Sequence, residues 1–119
     1  MTPASNKAKG RTFQYEVRKA ILEAFPALEP DDVRSTAMGS SGEDLQLSPA
    51  ARRMLGGIQI ECKRKANFKT IYGWMAQTKS HGDHKPVLFI RADREEALAI
   101  MPMTDYINLL KERNHDRDL

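Results

Sequence analysis

The stretch that most constrains the fold is Gly57 to Lys65, which reads Gly-Ile-Gln-Ile-Glu-Cys-Lys-Arg-Lys. Successive side chains of a β-strand point to opposite faces of the sheet. In a strand here, one face would therefore be apolar, with Ile58, Ile60 and Cys62. The other face would be polar, with Gln59, Glu61 and Lys63. The pattern predicts a strand with one face in the core and a charged face outside it.

Glu61 and Lys63 stand side by side on that charged face, where they can act on one substrate atom. This pair suits metal-assisted hydrolysis of a phosphodiester, with the carboxylate holding a divalent cation and the lysine positioning or activating the attacking water. The alternative is a half-exposed strand with a Glu61–Lys63 salt bridge and no chemistry. The same acid-x-lysine spacing at Asp83 to Lys85 lies among turn residues and is discounted.

The 119 residues are expected to form one domain. Cys62 is the single cysteine, which rules out an intrachain disulfide and predicts a cytoplasmic location. The first ten residues lack the apolar stretch of a signal peptide, and no apolar run reaches membrane-spanning length. We therefore expect no membrane partner.

The net charge of +3 and the pI of about 9.1 are modestly basic. The distribution of the charge is more informative, because the basic residues form clusters that would attract a phosphate backbone if they share one face. The basic side chains expected to contact DNA are Lys7, Lys9, Arg11, Arg52, Arg53, Arg64, Lys65 and Lys69. A solvated mixed surface is the alternative, and Arg52 and Arg53 could equally be a solubilising pair.

The element order predicts an α/β domain with one central mixed β-sheet flanked by helices. Helices are expected over 11–25, 67–80 and 104–113, with Asn67 capping the second, and strands over 33–37, 44–47, 57–65, 87–90 and 97–101. Ser48-Pro49 and Gly56-Gly57 bracket a short capped helical turn. The domain is thus expected over 11–113, between a flexible basic arm over 1–10 and a charged tail over 114–119.

Two side chains on the predicted helices have open roles. Glu16 lies on the flank of the apolar stripe of the first helix, where it could approach a site on the sheet or pair with Lys19. Trp74 lies off the apolar face formed by Phe68, Ile71, Tyr72 and Met75. It is expected to contact a second subunit or a base, or to be partly buried against a loop.

Several of these elements occur in an order that resembles the PD-(D/E)XK nuclease superfamily. A helix opens with Lys9-Gly10-Arg11 and carries Glu16, a Ser/Gly loop over 35–42 leads to Asp44-Leu45, Glu61-Cys62-Lys63 follows, and a helix bearing Gln77 precedes a Pro-Val-Leu strand. The chain is most similar to the archaeal-type Holliday junction resolvases, including phage-encoded relatives. The resemblance covers roughly residues 7 to 101.

The resemblance implies a restriction-endonuclease-like fold and Mg²⁺ as the cofactor, with Mn²⁺ also possible. Asp44 and Glu61 would ligate the ion, together with the backbone carbonyl of Cys62, and Glu16 would act through a water. Lys63 would orient or activate the attacking water. Ser40 or Ser41 would lie near the scissile phosphate, and Gln77 belongs to the same set of catalytic positions.

The expected function is a homodimeric Holliday junction resolvase, since two strands of a four-way junction must be cut symmetrically. Two departures bear on this expectation. Glu43 rather than Pro precedes Asp44, and the excursion over 48–57 is longer than a tight hairpin. The alternatives are a less structure-selective nicking or repair nuclease of the same superfamily, and a non-catalytic DNA-binding subunit.

Overall fold

The computed structural model describes residues 3–36 and 44–118, with side chains over 8–36 and 44–114. Contacts divide the chain into two compact units, one running to Ala66 and resuming at Leu110, the other Asn67–Leu109. The described residues form helices and two separate two-stranded antiparallel sheets, which is a small α+β architecture. The mixture of helices and strands is confirmed, whereas the described parts of the chain do not form a single central mixed sheet.

The first unit begins with helix α1 (Pro3–Ala24), followed by a 3₁₀ turn (Pro30–Asp32), strands β1 (Val33–Ser35) and β2 (Leu45–Leu47), and helix α2 (Pro49–Met54). Helix α1 takes in most of the stretch over 1–10 that was predicted to be a flexible arm. Its first turns are rich in alanine and lysine, which are strong helix formers, and proline is tolerated in a first helical turn. Within the described residues, no helix is both long and apolar enough to cross a membrane.

Strands β1 and β2 pair antiparallel, with Val33 opposite Leu47 and Ser35 opposite Leu45. Val33 and Leu45 are fully buried, while Arg34 and its partner Gln46 are exposed. The hairpin therefore has the alternation of a sheet with one face on the core. The ladder continues past β1, where the Thr36 amide donates to the Asp44 carbonyl at 2.9 Å.

Asp32 and Ser48 close the other end of this hairpin. The Ser48 amide donates to the Asp32 carbonyl at 2.8 Å, and the Ser48 hydroxyl donates to Asp32 Oδ1 at 2.6 Å. The same hydroxyl accepts the Ala51 amide at 3.1 Å, which makes Ser48 the N-cap of α2. The predicted short helix with Ser as its cap and Pro as its first residue is confirmed.

The core of the first unit combines residues of α1, β1, β2 and α2 with residues outside these elements. It consists of Ile21, Phe25, Leu28, Val33, Leu45, Ala51, Leu55 and Leu110. Arg18 fixes α1 to the hairpin, since its guanidinium donates to the carbonyls of Val33 at 2.5 Å and Pro30 at 2.8 Å. Ile58 and Ile60 pack against this core.

The predicted strand over 57–65 is not present as a strand, because residues 58–68 pair with no neighbouring strand in the described structure. The predicted alternation is nevertheless observed: Ile58, Ile60 and Cys62 are half-buried, and Gln59, Glu61 and Lys63 are exposed. Side chains, rather than the main chain of a partner strand, supply much of the hydrogen bonding along this segment. The face assignment was therefore right and the strand assignment wrong.

The second unit contains helix α3 (Lys69–Lys79), strands β3 (Leu88–Ile90) and β4 (Leu98–Ile100), and the start of helix α4 (Met103–Asp118), whose end belongs to the first unit. Strands β3 and β4 pair antiparallel. They correspond to the strands predicted over 87–90 and 97–101. The prediction that Asn67 caps α3 was wrong, because the N-cap is Phe68 without a side-chain hydrogen bond. Met75 is buried, but Tyr72, predicted on the same face, is 69% exposed.

The Ser48 cap generates a stability prediction. Ser48→Ala removes both the cap of α2 and the hydroxyl that Asp32 accepts, so we expect the free energy of unfolding to fall by about 1–2 kcal/mol. Denaturant unfolding measures this loss. Ser80→Ala is the matched control, because the exposed Ser80 hydroxyl only donates to the Gln77 carbonyl at the end of α3. An equal loss in both variants would contradict the prediction.

A second prediction concerns pH. The hydrogen bond from Ser48 and that from the Glu29 amide lower the pKa of Asp32 below its usual 3.8. A lowered folded pKa stabilises the protein above the unfolded pKa, and this contribution is lost as the pH falls through the folded pKa. The stability difference between the wild type and Ser48→Ala should therefore narrow below pH 3.8. A difference that stays constant on acidification would refute the electrostatic part of this contribution.

Candidate functional site

Asp44 links the hairpin to the segment that carries Glu61 and Lys63. Its amide donates to the Ile60 carbonyl at 3.0 Å, and its carboxylate Oδ2 accepts the Cys62 amide at 2.5 Å. The second contact places the Asp44 carboxylate directly against the peptide that joins Glu61 to Cys62. The contact makes Asp44 a spatial neighbour of Glu61, which follows it by 17 positions in the sequence.

Arg52 holds the beginning of the same segment. Its guanidinium Nη1 donates to the Ile58 carbonyl at 2.8 Å, across the turn that follows α2. Arg52 thus holds residue 58, and Asp44 holds residues 60 and 62. These anchors keep Ile58 and Ile60 on the core and Glu61 on the outside.

Glu61 and Lys63 form an ion pair with 3.2 Å between Oε1 and Nζ. The side chains are 59% and 76% exposed, respectively. Ion pairs with this much exposure contribute about 0–1 kcal/mol to stability. The pair therefore adds little to the fold and lies open to a ligand from solvent.

The pKa of the Cys62 thiol depends on its burial and on the negative charges around it. Burial, followed by the negative charges of Asp44 and Glu61, raises the pKa of the Cys62 thiol to about 11. A thiol with so high a pKa is a weak nucleophile at neutral pH, because the thiolate is the reactive form.

The donor set at this site fits a hard divalent cation. Mg²⁺ is commonly held by one or two carboxylates, with waters and substrate phosphates completing its octahedral shell. Asp44 and Glu61 supply two carboxylates, and each has about four lone-pair positions, more than its observed contact uses. No cluster of three or more His, Cys, Asp or Glu suited to a metal ion occurs within 3–36 and 44–118. The fit is thus to a cation that retains much of its water.

Among the described residues, no contact joins Glu16 to this site. Glu16 is exposed on α1, and Lys19, its alternative partner, pairs instead with Glu23 at 3.9 Å. Gln77 is exposed on α3 in the second unit. Ser40 and Ser41 lie outside the described residues.

The predicted DNA-binding residues differ in exposure. Arg11, Arg53, Arg64, Lys65 and Lys69 are exposed, whereas Lys9 and Arg52 are half-buried. Lys69 begins α3 in the second unit, and the side chain of Lys7 is outside the described part. Arg52 donates a hydrogen bond to the Ile58 carbonyl. The sequence-based interpretation of Arg52 and Arg53 as a solubilising surface pair did not include this contact.

Sequence reasoning missed two features of the site. It assigned the Cys62 carbonyl to a metal, but not the Cys62 amide to Asp44, and no local signal identifies a bond between residues 18 positions apart. It also left Arg113 without a role, although this side chain lies against Gly56. The Gly56-Gly57 pair was the available signal, since adjacent glycines permit close approach of another group.

Comparisons with family models, with characterised proteins and with solved structures found no significant match for this chain.

The charge around Cys62 generates a testable prediction. Asp44→Asn removes a negative charge that disfavours the thiolate, so the pKa of Cys62 should fall below 11 and alkylation at mildly basic pH should accelerate. Because Cys62 is the only cysteine, the pH dependence of iodoacetamide modification measures this directly. Asp31→Asn is the control, since Asp31 pairs with Arg34 away from this site. Equal alkylation rates in the two variants would contradict the assignment.

Proposed function

We propose that this chain is a metal-dependent endonuclease that hydrolyses phosphodiester bonds in DNA. The observation that carries the proposal is the 2.5 Å contact between the Asp44 carboxylate and the Cys62 amide. It brings an acid from the start of β2 against the segment that exposes Glu61 and Lys63. Two carboxylates and an ammonium group at one exposed place are a suitable set for phosphodiester hydrolysis.

Asp44 and Glu61 are the residues that would hold Mg²⁺, or Mn²⁺, which also suits carboxylate ligands. When bound, the cation supplies positive charge that offsets the charge developing on the phosphate. The Asp44 carboxylate is oriented in advance by the Cys62 amide, which reduces the reorganisation needed on binding. Glu61 would exchange part of its contact with Lys63 for the cation.

Lys63 acts as a donor in this scheme. Its ammonium group can donate to the attacking water and to a phosphate oxygen, and so stabilises the negative charge of the transition state. Water adds to phosphorus and releases a proton to solvent, the bond from phosphorus to the leaving sugar oxygen breaks, and that oxygen takes a proton from solvent. The 3.2 Å contact between Lys63 Nζ and Glu61 Oε1 supports this role, because Glu61 is one of the two residues that would hold the cation.

The finer proposal is a Holliday junction resolvase with a restriction-endonuclease-like core, in which residues 58–63 take the place of the strand beside β2. The alternating burial of this segment and the Asp44 to Ile60 hydrogen bond support it. A homodimer would cut the two strands of a junction symmetrically. Glu16 and Ser40 or Ser41 complete the proposed site.

The proposal is tested by cleavage of a labelled immobile four-way junction and a matched linear duplex, each with Mg²⁺ and with EDTA. We expect Mg²⁺-dependent cuts confined to the junction. Glu61→Gln and Lys63→Gln should each lower the cleavage rate by about 100-fold or more, because each removes a group that acts on the reacting phosphate. Binding to the junction in EDTA should largely survive both changes.

Glu23→Gln and Lys19→Gln are the matched controls, because they remove the same charges from an exposed ion pair on α1. Full activity of Lys63→Gln would remove the proposed mechanism. Equal cutting of junction and duplex would retain the nuclease and reject the resolvase. Tight binding without cutting under any metal would favour the non-catalytic DNA-binding subunit.

A further inference from the structure

A basic surface notch lies where α2 ends, within the first unit. Its volume is about 460 Å³, in the range of small-ligand sites, and its lining consists of Pro49, Arg52, Arg53, Gly56, Gly57 and Arg113. We call it the arginine notch. Three guanidinium groups and no acidic side chain form this lining, so the notch carries a local excess of positive charge that an anion would neutralise.

Capping of α2 does not explain the gathering of these arginines. The carbonyls of residues 51–54, which end the helix, all accept hydrogen bonds from other groups. The donors are the amides of Leu55, Gly57 and Gly56 and the side chain of Asn114, at 2.9, 2.7, 3.3 and 2.7 Å, respectively. The carbonyls that a helix end usually leaves to solvent or to basic side chains are therefore already satisfied.

Arg53 and Arg113 are available for a ligand, whereas Arg52 is in use. Within the side chains described over 8–36 and 44–114, no hydrogen bond or ion pair engages the guanidinium of Arg53 or Arg113. Both residues are exposed. Arg52 donates to the Ile58 carbonyl, but its charge still contributes to the field of the notch.

Gly56 and Gly57 have no side chains, which leaves space at the base of the arginine notch. A methyl group added at Gly56 would lie 3.0 Å from Arg113 Nη1, so this guanidinium rests on the bare backbone there. A methyl group at Gly57 would meet nothing within 4 Å. Both glycines have left-handed φ angles, 81° and 76°, which favour glycine over other residues.

We propose that the arginine notch binds a phosphodiester group of the DNA backbone, through Arg53 and Arg113. The planar guanidinium presents a fork of donors that matches two phosphate oxygens, which a surface ammonium cannot do. This inference rests on the proposed function for the identity of its ligand. It adds a subsite for the backbone of the substrate that is separate from the acids and the lysine of the proposed catalytic site.

The test measures DNA binding in EDTA, where no metal-dependent cleavage occurs, over a series of salt concentrations. Arg113→Gln and Arg53→Gln should each weaken binding about tenfold at low salt, because each loses a charge-assisted contact. Each should also reduce the slope of log K against log salt by about one. Arg113→Lys should keep most of that slope while losing affinity, since it retains the charge without the fork.

Two matched controls separate the effect of the arginine notch on DNA binding from the effect of overall charge. Lys111→Gln removes the same charge from an exposed position on α4 that does not line the notch, and it should bind nearly as well as the wild type. Gly56→Ala presses against Arg113, whereas Gly57→Ala imposes a similar backbone strain in open space. Gly56→Ala should therefore bind DNA more weakly than Gly57→Ala. Thermal unfolding identifies any variant that loses binding because it is less stable.

The outcomes distinguish this inference from the proposed function. Equal DNA binding by Arg113→Gln and Lys111→Gln would overturn the proposal that the arginine notch binds the DNA backbone, even if Glu61→Gln abolishes cleavage. Notch-dependent binding by a protein that never cuts would support the notch and refute the nuclease. If inorganic phosphate stabilises the wild type but not Arg113→Gln, while DNA binding is the same in both, the ligand is free phosphate and the inference is wrong.

Discussion

The candidate site depends on the position of Asp44 between the hairpin and the segment over 58–63. One residue supplies a main-chain donor to Ile60 and a side-chain acceptor for Cys62, so it fixes both the register of the segment and the place of its own carboxylate. Burial, together with the charges of Asp44 and Glu61, raises the pKa of the half-buried Cys62 thiol. The carboxylate that organises the site therefore also disfavours the thiolate form of its cysteine.

Local patterns in the sequence predicted the features that local physics determines. The Ser48-Pro49 start of α2 follows from the geometry of a helix cap, and the alternation from Ile58 to Lys63 follows from which side chains can be buried. Four of the predicted strands, over 33–37, 44–47, 87–90 and 97–101, follow from short apolar or alternating runs between polar turns. Each of these predictions required only neighbouring residues, and each agrees with the structure in type and approximate position.

Apart from the cap assigned to Asn67, the predictions that failed concern partners distant in the sequence. A segment with strand-like alternation becomes a strand only if a neighbour offers main-chain groups, and here the guanidinium of Arg52 and the carboxylate of Asp44 take part of that role. The contact of Arg52 with Ile58 was not predicted for the same reason, because it depends on a turn whose shape the sequence does not specify. The pairing of the described strands into two separate sheets is likewise determined by residues distant in the sequence.

Arg52 connects the arginine notch to the proposed catalytic segment. Its side chain lines the notch, and its Nη1 is bonded to the Ile58 carbonyl three residues before Glu61. A phosphate held in the notch would thus be fixed relative to α2, and α2 is fixed by the same arginine relative to the segment. In the proposed function this link would affect cleavage as well as affinity, because positioning a substrate can contribute as much to rate as the reacting groups do. Binding and chemistry would then share one structural element, even though different side chains perform them.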